Sequence, residues 1–209
     1  MGSAHPKQTG ASRRAKLEEA RRREEAHRRR ERVLTIVASI AAVAALAGGG
    51  AYLIAHAEDQ KGPGPALAGE RTWSDLGRDH VRTAVDYPMN PPVGGDHSLV
   101  WMNCDAQVYT KEIPDMNAVH SLEHGAVWVT YNDRAAAGDL AKLRARVSAT
   151  SYSLMSPVKD QKAPLMLTAW GRQLVVPNAS DPRVEKFFDR YVQGRQTPEP
   201  GAPCSGGLS

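Results

Sequence analysis

Residues 115–131, DMNAVHSLEHGAVWVTY, read as a helix, a stop and a strand in immediate succession. Asp115 is of a type that caps helix N-termini, and no Gly or Pro interrupts Met116 to His124. Gly125 then stands where a helix gives way to a left-handed residue. Val127, Trp128, Val129 and Thr130 supply the β-branched and aromatic run of a central strand, expected over 126–131.

Outward from this unit the signals alternate in kind. Upstream, Val81 to Tyr87 alternates loosely and suits a first strand, whereas the prolines and glycines of Pro91 to Asp96 demand a loop. Leu99 to Met102 and Gln107 to Thr110 are short β-prone runs flanking a loop at 103–106. Downstream, Asp133 is positioned to cap a second helix, along which Leu140, Leu143 and Val147 form an apolar stripe. Leu165 to Trp170 and Gln173 to Val176 read as a hairpin around Gly171-Arg172. Asp181-Pro182 opens a third helix with Val184, Phe187, Phe188 and Tyr191 on its buried face, and Gly194 closes it. Strands and helices mix without regular βαβ alternation. The expected class is α+β: a central, mainly antiparallel sheet with about three helices.

The first quarter of the chain cannot belong to that core. Residues 1–32 carry 11 Lys or Arg against 5 Glu, a surplus of +6, although the whole chain has only 27 basic and 23 acidic residues. Residues 33–55, VLTIVASIAAVAALAGGGAYLIA, contain no charge and match the ~20 residues a helix needs to cross a bilayer. Arginines at 28–30 and 32 abut one end and Glu58 and Asp59 follow the other, so the positive-inside rule puts the arm in the cytoplasm and the rest outside. Ala55-His56-Ala57 leaves a rival reading open, a cleaved signal peptide. The arm's glutamates interleave with its arginines at spacings of three and four, which suits a solvated helix and a membrane surface and argues against nucleic acid. Residues 56–70 read as a Pro- and Gly-bearing linker, 71–195 as one extracytoplasmic domain and 196–209 as an irregular tail.

Chemistry concentrates on histidine. His120 and His124 are four residues apart, so on a helix both rings lie on one face, with Glu123 beside them. His97, next to turn glycines, is the third expected ligand of a transition metal, and His80 a further one, with Glu123 orienting a ligand from behind. Imidazole suits Zn and Cu, and Met89, Met102, Met116, Met155 and Met166 add the soft sulfur that Cu(I) prefers. His120-x-x-Glu123-His124 also fits the H-x-x-E-H pattern of zinc hydrolases. Gly125 ends the helix too early for that class, and no nucleophile elbow or phosphate-binding loop is present, so the expectation is a non-enzymatic domain. A competing reading makes the histidines structural and the protein an accessory subunit docked on an envelope or respiratory membrane complex. Cys104 and Cys204 lie on the expected oxidising side, where a disulfide, two free thiols and thiolate ligation all remain open.

Tyr87-Pro88, Pro91 to His97, Tyr109, Val119 to Gly125, Tyr131 and Ala169-Trp170-Gly171 together resemble the bacterial domain of unknown function 3105 family over about residues 75–195. The resemblance implies a single-span, membrane-anchored envelope protein of actinobacterial type and brings no established activity. This chain has Gly95-Asp96 where that family usually has Ser-Gly-Pro before the loop histidine.

Overall fold

The computed structural model describes residues 66–209. The arm, the apolar run at 33–55, the small-x-small site and nearly all of the linker lie outside the described residues. Among the described residues, no helix is long and apolar enough to cross a membrane.

Six strands form one sheet: β1 (Glu70–Thr72), β2 (Gln107–Val108), β3 (Val127–Tyr131), β4 (Ser153–Pro157), β5 (Leu165–Ala169) and β6 (Arg172–Val176), in the spatial order β1-β6-β5-β3-β4-β2. Among the described residues three helices accompany it, α1 (Asp115–Glu123), α2 (Ala137–Ser148) and α3 (Pro182–Tyr191). The fold is mixed α+β. Antiparallel pairing holds from β1 through β6 and β5 to β3, but β3 and β4 are parallel, as are β4 and β2. The parallel pair arises because α2 carries the chain back to the starting edge, the crossover that parallel neighbours require.

Alternation along β3 divides the interior in two. Val127 and Val129 join Leu143 and Val147 of α2 and Phe187 and Phe188 of α3 on one face. Trp128, with Leu154 of β4, joins Val119 and Leu122 of α1 on the other. With both faces covered, β5 is buried over its full length and reads LMLTA rather than alternating.

Several elements differ from the sequence expectation, each for a physical reason. Residues 81–87 are not a strand: their side chains are mostly exposed, and the only ladder contact nearby is the isolated bridge of His80 to His97, with Val81 N–H donating to His97 O and the Tyr87 hydroxyl to Asp96 O. Residues 99–102 are not one either. Their backbone docks on α1, Met102 N–H donating to Asn117 O and the Asn117 side chain donating to Val100 O, while Leu99 and Val100 face solvent. α2 begins at Ala137 rather than after Asp133, because Asn132 closes a turn first by accepting from Arg134 N–H and Ala135 N–H. β4 went unforeseen because Ser153 and Ser156 break its apolar pattern; both are fully buried, Ser153 donating to Thr150 O and Ser156 accepting from the Trp128 indole.

The chain boundary also moves. Glu70, expected in the linker, begins β1 and receives the Tyr191 hydroxyl at 2.6 Å. The compact unit runs from Pro65 to Ser209. The tail is irregular in secondary structure yet fixed: Cys104 and Cys204 are disulfide-bonded with their Cα atoms 4.7 Å apart, and Leu208 N–H donates to Trp101 O.

Candidate metal centre

α1 and the loop before it build one group of side chains. On α1, Ala118 to Glu123 are all buried, so this is a core helix carrying polar residues on its inner face. Its end is a Schellman turn: Gly125 N–H donates to Leu122 O and Ala126 N–H to Ser121 O, which needs the positive φ of +94° that Gly125 adopts. That turn holds His120 and Glu123, one helical step apart, against the 97–102 loop. The loop is tied down in return, Ser121 Oγ donating to Met102 O at 2.7 Å.

Ligand atoms of His80, His97, His120 and Glu123 lie within 4.8 Å of one another. Glu123 Oε2 stands 2.9 Å from His97 Nε2 and 3.6 Å from His80 Nε2. The rings crowd accordingly: His80 stacks on His120 with centroids 4.7 Å apart, and His97 lies 4.9 Å from each of them. His97, His120 and Glu123 are buried, whereas the His80 side chain is 35% exposed and closes the group toward solvent. Trp170 flanks His97 at 5.9 Å and Trp101 flanks His120 at 5.6 Å.

The tautomers follow from the partners. His97 Nδ1 faces Gly95 O, His120 Nδ1 faces Ser98 O and His124 Nδ1 faces Pro203 O, each at 2.7 Å. A carbonyl only accepts, so each Nδ1 carries the hydrogen of that bond and Nε2 is the atom each ring presents to other partners. Burial pushes the His120 imidazole down to about 4, with the neighbouring His124, His97 and His80 adding to the effect against the opposing Ser98 hydrogen bond. Burial also lowers His124. His120 is therefore neutral at pH 7 and available as a donor.

The structure brings together three of the expected residues, His97, His120 and His80, and it sets Glu123 among them rather than behind them. It does not bring His124 in. His124 is the cap residue just past α1, and its Nε2 points toward Glu199 Oε2, 3.9 Å away, while its ring stands edge-on to His120. The i,i+4 spacing puts both rings near each other, but the bond from His124 Nδ1 to Pro203 O turns the second ring toward the tail. Met102 and Met155 are packed in the two cores, and Met89 and Met166 line a separate groove of about 360 Å³ shared with Arg71, Trp73 and Tyr87. Sequence reasoning missed the flanking tryptophans and Glu199, for which the chain offers no local signal. The i,i+3 spacing of His120 and Glu123 was the available signal for a carboxylate on the same face.

Residues 80–206 match the family model described as protein of unknown function, DUF3105. The chain belongs to that family. The DUF3105 segment begins at His80 and extends past Cys204, so it holds all four members of the group and both cysteines. No curated protein and no solved structure matches the chain.

Proposed function

We propose that this DUF3105 domain holds one transition-metal ion, Zn or Cu(II), through His80, His97, His120 and Glu123. The observation that carries the reading is the 2.9 Å approach of His97 Nε2 to Glu123 Oε2, while His97 Nδ1–H is already committed to Gly95 O. With that N–H committed, the gap between His97 Nε2 and the carboxylate holds either a proton or a metal ion. A proton fills it in the metal-free protein, and a metal ion displaces that proton on binding. The backbone carbonyls on the Nδ1–H of His97 and His120 are what metal-binding imidazoles ordinarily have behind them.

Three imidazoles and a carboxylate, with no thiolate among them, suit Zn and Cu(II) over Cu(I). Ligands at about 2.1 Å from an ion stand at most about 4.2 Å apart. In a tetrahedral sphere the spacing is about 3.4 Å, so the ligand atoms, which lie within 4.8 Å of one another, draw together on binding. Four protein ligands complete a tetrahedral sphere and leave no position for an activated water, which favours holding an ion over hydrolysis. We further read the apolar run at 33–55 as a membrane anchor, supported by its length and by the arginines before it.

The test is metal titration of the full-length chain after chelation. One ion per chain is expected, lost in His97→Ala/His120→Ala and retained in His124→Ala. Cu(II) should also quench Trp101 and Trp170 fluorescence in proportion to its binding. Uptake that survives the His97/His120 double substitution belongs to His5, His27 or His56 of the N-terminal segment and ends the proposal.

A further inference from the structure

The tail wraps the metal group without contributing to it. Glu199 N–H donates to Glu123 O at 3.1 Å, so the backbone of one candidate ligand is held by the tail. Pro203 O receives the His124 ring, and Ala202 O receives the Tyr152 hydroxyl. Further along, Leu208 pairs with both Trp101 and Asn103, in the loop whose Ser98 carbonyl orients His120. One irregular segment thus clamps the end of α1 and the loop leading from His97. Past Gly194 it has neither helix nor strand to order it, and the Cys104–Cys204 bond is its covalent tie.

Resting on the metal-holding reading above, we propose that this disulfide is a redox latch on the metal centre: its reduction frees the tail and loosens the grip of His97, His120 and Glu123 on the ion. The step needs a dithiol reductant. One donor thiolate bonds to a sulfur of the pair, most accessibly that of Cys204, the less buried partner, and the Cys104–Cys204 bond breaks. The donor's second thiol then resolves the mixed disulfide. The donor leaves as a disulfide, oxidised by two electrons, and Cys104 and Cys204 become thiols with two electrons and two protons gained. Reoxidation restores the clamp. What the ion loses is the support behind its ligands, and loss of such partners typically lowers metal affinity about 10- to 100-fold.

The experiment compares Zn affinity, by competition with a chromophoric chelator, for three forms of the full-length chain: oxidised, reduced with a phosphine that supplies no competing thiol, and Cys104→Ser/Cys204→Ser. The reduced and substituted forms should keep one ion per chain at about 10- to 100-fold weaker affinity, with recovery of the wild type on reoxidation. A Glu199→Pro variant, which keeps the disulfide and deletes the N–H on Glu123 O, covers the case in which the cysteine variant fails to fold; it too should bind more weakly. Equal affinity in oxidised and reduced protein, or in Glu199→Pro and wild type, overturns the latch and leaves the metal reading standing. No binding by the oxidised chain beyond that of His97→Ala/His120→Ala overturns both.

Discussion

At the scale of single residues, the centre depends on groups that touch no ion. Ser121 is fully buried, and its hydroxyl ties α1 to the 97–102 loop through Met102 O. Ser121→Ala leaves that carbonyl short of a donor, so we expect a loss of about 1–2 kcal/mol in urea unfolding. Gly125→Ala should cost about 2 kcal/mol, since an L residue resists φ of +94° and the added Cβ would sit 2.9 Å from Thr197 Cγ2 and against the Gln193 amide. Urea unfolding of the two variants checks both figures. The candidate ligands themselves were partly legible, because a loop histidine beside glycines and a helical histidine followed by a same-face glutamate are visible in the chain. The acceptors behind them were not. Gly95 O and Ser98 O are backbone groups that tertiary folding delivers, and no side-chain pattern announces them.

At the scale of elements, legibility followed local encoding. The start and buried face of α3 were read because their signals lie within it: Asp181 accepts from Arg183 N–H, Pro182 opens the first turn, and Val184, Phe187, Phe188 and Tyr191 are buried, although the helix ends at Tyr191, short of Gly194. β4 was not read, since its burial is decided by β3 on one side and β2 on the other rather than by its own serines. Residues 81–87 show the reverse error, a β-prone run with no strand beside it. Asp181 also gives a pH signature. Hydrogen bonding from the Arg183 side chain holds its carboxyl below the ordinary carboxylate range, so the native state keeps the charge where the unfolded chain would take a proton. Asp181→Asn retains a capping oxygen and loses the charge. Its stability deficit should be fully present above the ordinary carboxylate pKa, shrink as pH falls through the lowered native value and vanish below it. Asp181→Ala should lose about 1 kcal/mol more, for the missing cap, at every pH. Urea melts of the three proteins between pH 7 and pH 2 decide the matter.

At the scale of the whole molecule, the Cys104–Cys204 bond closes a loop of sequence separation 100, for which chain entropy predicts about 4.7 kcal/mol of stabilisation. Such a bond persists outside the cytoplasm and is reduced within it. That supports the orientation proposed from the arm's +6 charge and the uncharged run at 33–55, because both arguments place residues 66–209 on the same side. The two rest on unrelated physics, one on charge transfer across a bilayer and the other on thiol chemistry, so one measurement can set them against each other. A reporter that functions only in the cytoplasm should be silent when fused after Ser209. The same fusion protein, alkylated before lysis, should show Cys104 and Cys204 blocked to modification. A silent reporter with free thiols would separate the disulfide from the orientation and leave only the latter standing. An active reporter would bring the domain inside, where the bond would not last and the tail would lose its tie.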